Sequence, residues 1–276
     1  MSYQPIDNPP EYTNQPPQSS LFSNGAKANN NSTPYPGTSN PNATFNDDIP
    51  DDFKYDTNVA GCDIQIRQAF ARKVYTLLFV QLLATTILGW VINANAAVKE
   101  FTMNHPALLF ISMILSVAAM LGAMWKSKEY PTNLILLGAF TLFEGYSIGV
   151  VTSLFDTMIV LEAMIITLVI FIGLSLFAFQ TKYDFTSWVS ALNGVLFAMI
   201  GVSFIWLFIQ PSNLMELVYS GVGALLFSVY IVVDTQLIMR KFNVEDEIPA
   251  AIVLYLDILN LFLHILRILA ASSDDN

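Results

Sequence analysis

Charged residues are scarce in this 276-residue chain: Asp, Glu, Lys and Arg make up 12% of it, whereas hydrophobic residues make up 54%. A soluble domain of this length has about twice that charged fraction. No basic face is available to neutralise phosphates, so we expect no nucleic-acid partner. The one cysteine, Cys62, excludes an intrachain disulfide and a cysteine-based metal site. With only two histidines, a zinc site is not expected either.

Sequence signatures of enzymes are also missing. There is no nucleotide-binding glycine loop, no GxSxG and no HExxH. A membrane aspartyl protease is the main enzymatic alternative, because that class also places two aspartates on neighbouring helices, but its Tyr-Asp and Gly-x-Gly-Asp sequences are absent here. The N-terminus lacks the pattern of a secretory signal peptide. We therefore expect no enzymatic activity and no cofactor.

The first 60 residues differ in composition from the rest. Residues 1–50 hold nine of the thirteen prolines and few aliphatic residues. Such a segment cannot bury enough apolar surface to offset its ordering entropy, so residues 1–60 are predicted to be a disordered, acidic tail. Within it, Pro9, Pro10 and Tyr12 belong to a PPxY sequence of the kind that WW domains bind. Either this sequence recruits a WW-domain ubiquitin ligase or it arises by chance in a proline-rich segment.

Residues 61–276 contain seven apolar stretches, each long enough to cross a bilayer. Backbone polar groups in lipid must be satisfied within their own segment, so the stretches are predicted to be helices. Gly145 and Gly149 on the third stretch have GxxxG spacing, which lets two helices approach closely. The predicted fold class is an all-α membrane protein with seven transmembrane helices, at about 74–93, 107–125, 133–154, 158–179, 187–209, 217–238 and 249–270.

The distribution of lysine and arginine orients the chain, because cytosolic loops are enriched in these residues. We expect a cytosolic N-terminus, since this places eight of those near the ends of the stretches on the cytosolic side and only Lys99 and Arg267 opposite. The seventh stretch is the most polar, and a re-entrant hairpin that returns Arg267 to the cytosol is an alternative to a full span. The eight cytosolic residues are Arg67, Arg72, Lys73, Lys126, Lys128, Lys182, Arg240 and Lys241.

Two aspartates lie inside the last two apolar stretches, Asp234 in the sixth and Asp257 in the seventh. At ~1.5 Å per residue, they lie ~6 Å and ~12 Å inside the same membrane edge. A lone charge there costs several kcal/mol, so the two acids are predicted to meet and to titrate as one unit. Such a pair can share a proton or hold a cation. Calcium prefers roughly six to eight oxygens, so we expect the pair to bind it only transiently.

Three further acids extend this candidate ion path toward the opposite side. Glu144 lies in the third stretch, Glu162 near the start of the fourth, and Asp156 in the loop before it. Each observation has a structural alternative. Glu144 can make a structural hydrogen bond, Glu162 can be an interfacial side chain, and Asp234 itself can pair with a nearby base such as Arg240.

Five segments of the chain are similar to sequences found in one family of membrane proteins. The resemblance is to the Bax-inhibitor-motif family, specifically its lifeguard branch, and covers roughly residues 60–276. The matching sequences are Ile66–Phe70 with Lys73–Tyr75, Phe140-Thr141 with Glu144-Gly145, Gln180–Thr186, Asp234–Ile238 and Leu254–Phe262.

The resemblance implies a fold in which the last helix is central and surrounded by the six others. It also implies a pH-sensitive calcium leak and suppression of stress-induced cell death, with Asp234 and Asp257 as the di-aspartyl pH sensor. Bcl-2-type or stress-sensor membrane proteins are the implied partners, besides membrane lipid. In bacterial relatives an arginine latches this pair closed. Ser127 stands at that position here, so its neighbours Lys126 and Lys128 are the candidate latch, although lysine lacks the bidentate fork of arginine.

We therefore expect a calcium leak channel of an intracellular membrane, gated by the aspartate pair. The endoplasmic reticulum is the expected compartment, and the vacuole or lysosome, the Golgi and mitochondria are alternatives. Two other functions stay open. One is a non-conducting regulator or scaffold of apoptosis or the unfolded protein response, and the other is a proton-coupled calcium exchanger.

Overall fold

The structure, a computed structural model, describes residues 59–274. Most of the predicted tail, including Pro9, Pro10 and Tyr12, lies outside these residues. The described chain folds into eight α-helices and two 3₁₀ turns, at Val59–Gly61 and Phe185–Trp188. The helices are α1 (Ile64–Ala94), α2 (Ala96–Asn104), α3 (Pro106–Trp125), α4 (Thr132–Thr152), α5 (Thr157–Gln180), α6 (Val189–Trp206), α7 (Asn213–Arg240) and α8 (Glu247–Asp274).

Seven of these helices, all except the short α2, are long and apolar enough to cross a membrane, so the predicted fold class is confirmed. Their ends differ in places from the predicted spans. α1 begins at Ile64 rather than near residue 74, because the basic segment before the span continues the same helix. The carboxylate of Asp63 caps this start by accepting from the Ile64 backbone N–H at 2.6 Å. α6 ends at Trp206, three residues before the predicted 209.

α8 is the central helix of the bundle. It packs directly against α1, α3, α4, α5 and α7, and faces α6 across a cavity of about 250 Å³. In α7 and α8, 61% of the most apolar stretch is buried, against 11–44% in the other five long helices. The prediction of a central last helix is therefore confirmed. α8 also runs without interruption from Glu247 to Asp274, so the re-entrant hairpin is wrong.

The seven long helices define two ends of the bundle. The basic end holds the start of α1 and the loops that join α3 to α4, α5 to α6 and α7 to α8. The opposite end holds α2 and the loops that join α4 to α5 and α6 to α7. Because α7 ends and α8 begins at the basic end, Asp234 and Asp257 both lie in the half of the bundle nearest to it.

Two glycines let α4 pack closely on α1. A Cβ at Gly149 would lie 2.6 Å from Cδ1 of Ile92 and 3.2 Å from the backbone Cα of Gly89. A Cβ at Gly145 would lie 3.3 Å from the Cα of Thr85. The close approach predicted from the GxxxG spacing is therefore confirmed. Small residues at such a contact matter because helices in lipid associate by packing rather than by the hydrophobic effect.

We predict that Gly149→Ala lowers the thermal unfolding midpoint of the protein in detergent. The added methyl group has to displace either the buried Ile92 side chain or the α1 backbone, and such overpacking costs about 1–3 kcal/mol. Gly138→Ala is the matched control on the same helix, because nothing lies within 4 Å of its added Cβ. Equal midpoints for the two variants would contradict the close contact between α1 and α4.

Candidate functional site

Asp234 of α7 and Asp257 of α8 face each other in the interior of the bundle. Their side chains are 9% and 6% exposed, and the two carboxyl groups lie within hydrogen-bonding reach of each other. Oδ2 of Asp257 is buried and has no hydrogen-bond partner. The predicted meeting of the two acids is thus what the structure shows. Two carboxyl groups in contact cannot both ionise cheaply in a dry interior, so they form a unit that can share one proton.

Tyr230 is the third titratable group at this pair. It lies one helical turn before Asp234 on α7, where both carboxyl groups act on it electrostatically. Its hydroxyl donates to Oδ1 of Asn193 on α6 at 2.7 Å, which fixes the ring beside the pair. A neutral phenol thus borders the pair on the α6 side, while no ion pair among residues 59–274 includes Asp234 or Asp257.

Two bases at this end of the bundle, Arg240 and Lys73, pair with acids other than the two aspartates. Nη1 of Arg240 lies 3.5 Å from Asp184, so the alternative in which Arg240 pairs with Asp234 does not hold. Lys73 reaches Glu247 at 3.6 Å. These contacts hold the charges of Arg240 and Lys73 away from the paired aspartates.

The candidate latch residues are not at the pair either. Nζ of Lys126 lies 2.6 Å from Glu129, three residues further along the same loop. Nζ of Lys128 lies 3.3 Å from Glu245 in the loop between α7 and α8. Lys128 therefore ties two loops of the basic end together, and neither lysine touches Asp234 or Asp257.

Gln236 anchors the loop between α5 and α6 beside the pair. It is 2% exposed, its Oε1 accepts from the Phe185 backbone N–H at 2.9 Å, and its Nε2 donates to the Tyr183 carbonyl at 2.9 Å. In the same loop, hydrogen bonds from the side chain and the backbone N–H of Thr186 lower the pKa of Asp184, with a smaller contribution from Arg240. This loop is therefore held to α7 two residues after Asp234.

A second polar cluster lies on another face of α8. The Tyr255 hydroxyl and Oγ1 of Thr85 on α1 are 2.7 Å apart, and Glu144 on α4 acts electrostatically on Tyr255. Glu144 itself accepts a hydrogen bond from Oγ of Ser116 at 2.6 Å. Tyr255 precedes Asp257 by two residues, which places the two side chains about 200° apart around the helix. Glu144 thus belongs to this structural cluster rather than to the aspartate pair.

The other predicted path residues lie at the surface. Asp156 is the N-cap of α5, and its Oδ1 accepts from the Met158 backbone N–H at 2.7 Å. Glu162 is exposed on α5. Within residues 59–274 no three Asp, Glu, His or Cys side chains form a group that could hold a metal ion. The structure therefore brings together Asp234 and Asp257 but not the five acids of the predicted path.

A polar stripe instead continues from the pair along α8. Asn260, His264 and Arg267 follow Asp257 at spacings of three, four and three, which puts all four on one helical face. The last three of these side chains line the 250 Å³ cavity between α6, α7 and α8. The stripe leads from the pair toward the opposite end of the bundle.

Comparison with known sequences identifies the family. Residues 67–274 match the family Bax1-I, described as Inhibitor of apoptosis-promoting Bax1. The chain belongs to the Bax-inhibitor family. This match covers the whole bundle except the first residues of α1, and it includes both aspartates of the pair. The resemblance inferred from the sequence is thereby confirmed.

Relatives within this family are similar over most of their length. Bax inhibitor 1 of Schizosaccharomyces pombe is 36% identical over 238 residues, which cover 86% of this chain and 89% of the relative. Protein lifeguard 4 of Mus musculus is 39% identical over 81% of this chain and 93% of its own. The Golgi anti-apoptotic protein of vaccinia virus (strain Lister) is 35% identical over 82% of this chain and 94% of its own.

Sequence reasoning missed three residues of the site: Tyr230, Asn193 and Gln236. Tyr230 carries a usable signal, because a residue four before Asp234 lies on the same face of α7. Gln236 lies within the Asp234–Ile238 segment of the family resemblance, but nothing in the sequence shows that its amide binds a distant loop. Asn193 has no local signal, since its role depends on how α6 packs against α7.

We predict that Gln236→Leu destabilises the protein by about 1–3 kcal/mol, because it leaves the Phe185 N–H and the Tyr183 carbonyl without their partner. Amide hydrogen exchange of the Tyr183–Trp188 segment is expected to accelerate. Gln180→Leu, the same change at an exposed position at the end of α5, is the control and should leave both measurements unchanged. Equal exchange rates in the two variants would show that Gln236 does not hold the loop.

Proposed function

We propose that this chain forms a pH-sensitive leak pathway for calcium across an intracellular membrane, controlled by Asp234 and Asp257. The observation that supports this best is the buried contact between the two carboxyl groups, with Oδ2 of Asp257 unpartnered and no base at either acid in residues 59–274. Such a pair has to bind a proton or a cation, because two uncompensated charges at this depth cost several kcal/mol each. The pair has few oxygen ligands, so calcium binds it only transiently.

Protonation and calcium compete for the same oxygens in this mechanism. A shared proton bonds the two carboxyl groups to each other, holds α7 against α8 and closes the pathway. When the proton leaves, the two carboxylates repel each other, separate and become available to calcium. Calcium prefers roughly six to eight oxygens, and the pair supplies at most about four, so the ion stays partly hydrated and passes on. Flux should therefore rise with pH over the range in which the pair loses its proton.

Suppression of cell death is the cellular role that we propose. It rests on the description of the family as an inhibitor of apoptosis-promoting Bax1 and on the name of the vaccinia virus relative, an anti-apoptotic protein. A slow leak that lowers the calcium content of a store would reduce the calcium released under stress. In this account the membrane function and the protective function have a common cause.

A non-conducting regulator is the second candidate function. It is favoured by the family description and by the names of two relatives, which refer to inhibition of Bax or to apoptosis and not to transport. Bcl-2-type or stress-sensor membrane proteins would be its partners. Cells that express Asp234→Asn/Asp257→Asn distinguish the two. Survival under stress that persists without calcium flux would favour the regulator, and survival lost together with the flux would favour the leak.

Location and orientation belong to the same proposal. We place the basic end of the bundle and the N-terminal tail in the cytosol, because lysine and arginine are concentrated there. The expected membrane is that of the endoplasmic reticulum, and the Golgi is the main alternative because one viral relative is named for it. In the cytosol, the PPxY sequence at Pro9, Pro10 and Tyr12 would be accessible to a WW-domain ubiquitin ligase.

We predict that Asp257→Asn lowers calcium flux into proteoliposomes by at least about tenfold, since a loss of more than about 1.4 kcal/mol of carboxylate–calcium attraction has that effect on a rate. The residual flux should no longer depend on pH, because the variant has no shared proton to lose. Asp234→Asn should act in the same way. Glu162→Gln removes an exposed carboxylate of the same bundle and serves as the control, with flux and pH profile kept.

The mechanism is wrong if Asp257→Asn leaves both the calcium flux and its pH dependence unchanged. Obligatory counter-transport of protons in the wild-type protein, seen as an internal pH change that stops without calcium, would instead support the exchanger.

We also predict that Lys128→Gln changes calcium flux less than about twofold, because an exposed ion pair contributes only about 0–1 kcal/mol. The Nζ of Lys128 binds Glu245 and not the aspartates, so the closed pairing survives without it. Lys99→Gln, which removes a lysine from α2 at the opposite end, is the matched control. A leak that rises at low pH only in Lys128→Gln would assign the latch to this lysine.

A further inference from the structure

The cavity between α6, α7 and α8 contains a cluster of polar groups that the calcium pathway does not require. Its volume is about 250 Å³, and its polar lining comes from Ser203, Tyr219, Asn260, His264 and Arg267. Arg267 lies ten residues beyond Asp257, or ~15 Å along α8, and so toward the opposite end of the bundle. This cavity is therefore separate from the aspartate pair, although the same face of α8 lines both.

His264 is held rigidly in the wall of this cavity. Its ring stacks on Phe227 and contacts Tyr219, with centroid distances of 5.7 Å in both cases. A Cβ at Gly223 would lie 2.3 Å from Cε1 and Nε2 of the ring, so His264 packs against bare helix backbone. The side chain is only 7% exposed, yet its Nδ1 has no hydrogen-bond partner. A buried polar nitrogen without a partner is an exception in folded proteins, and a bound ion or water is one explanation for it.

Arg267 places a positive charge in the same cavity. It lies close enough to His264 to act on it electrostatically, and within residues 59–274 it forms no ion pair. Glu216, in the first turn of α7, is exposed and is not bonded to it. A guanidinium inside a membrane protein is costly unless an anion or water reaches it.

The cavity lies near the membrane interface. Arg267 is six residues, or ~9 Å, from the end of the apolar stretch at Ser273. Trp206 and Tyr219 are in ring contact at 4.7 Å beside it, and these two residue types are enriched at the depth of lipid headgroups. Ser203 on α6 is exposed, so the cavity opens laterally toward lipid. An anionic group at headgroup depth can therefore enter it.

We propose that this cavity is a binding site for a phosphate group, which a phospholipid headgroup presents from the surrounding leaflet. The guanidinium of Arg267 forms a bidentate, charge-assisted contact with two phosphate oxygens, the geometry for which arginine is suited. The imidazole of His264 donates to a third oxygen, while the Ser203 hydroxyl stays bonded to the hydroxyl of Tyr219, 2.6 Å away in the same wall. Phe227 and Gly223 fix the imidazole in place, so the site is formed before the ligand arrives.

The test is a titration of the full chain in detergent with phosphatidylglycerol, followed by native mass spectrometry. Arg267→Gln should weaken the binding of this lipid by at least about tenfold, since a hydrogen bond to a charged group is worth about 1.5–3 kcal/mol. Arg267→Lys, which keeps the charge but not the fork, should bind with intermediate affinity. Arg240→Gln is the matched control, because Arg240 lies at the basic end and already pairs with Asp184; its affinity should equal that of the wild type.

Two further arms identify the source of the phosphate. Diacylglycerol has the same acyl chains without the phosphate and should not bind, whereas binding equal to that of phosphatidylglycerol would overturn the proposal. In the second arm, inorganic phosphate is added without lipid. If Arg267→Gln weakens the binding of inorganic phosphate but not that of phosphatidylglycerol, the site belongs to the free anion and not to a lipid headgroup. If Arg267→Gln does not fold, His264→Gln replaces it and should weaken lipid binding several-fold. Unchanged binding of both ligands in the folded variant excludes a phosphate site.

Discussion

Asp234 on α7 and Asp257 on α8 bury their carboxyl groups against each other, and the need to compensate their charge constrains the rest of the bundle. An isolated charge at this depth costs several kcal/mol, and within residues 59–274 neither Asp234 nor Asp257 forms an ion pair with a base. Four bases at the nearby end are instead paired with other acids: Lys73, Lys126, Lys128 and Arg240. Within the described residues, a shared proton or a bound cation is therefore the compensation left to the pair. The proposed response to protons and calcium rests on this requirement at the centre of the packed core.

α8 can hold so many polar groups because it is, with α7, one of the two long helices best shielded from lipid. Asp257, Asn260, His264 and Arg267 lie along the face that meets α6 and α7, while Tyr255 lies on another face against α1 and α4. The first face has unpartnered atoms, on Asp257 and His264, and the Tyr255 hydroxyl is hydrogen-bonded to Thr85. The two faces of α8 therefore have different roles. One fixes the central helix in the bundle, and the other leaves groups available for ligands.

The family and the seven helices could be predicted from the sequence, because long apolar runs and extended matching segments are local features. The aspartate pair could also be predicted, since depth follows from a constant rise per residue and places Asp234 and Asp257 at similar levels. Which neighbouring helix a side chain faces could not be predicted, because it depends on the packing between helices that are distant in sequence. For that reason the sequence places Glu144 on the same path as the pair, although it lies with Tyr255. The polar stripe of α8 is a local feature, because the spacing alone puts His264 and Arg267 on the side of Asp257, but the cavity that it lines depends on how α6 and α7 pack. The ion pairs of the loop lysines could not be predicted for the same reason, since Lys128 and Glu245 come together only when the bundle has folded.

The central claim is that the two aspartates share a proton whose loss opens the pathway. The most direct test is infrared difference spectroscopy of the protein in lipid bilayers during a pH titration, with calcium flux recorded on the same preparation. The account predicts a band of a protonated carboxyl group that is absent from Asp234→Asn/Asp257→Asn and that disappears over the pH range in which flux rises. A band that stays constant while flux changes, or a flux that rises before the band is lost, would contradict it.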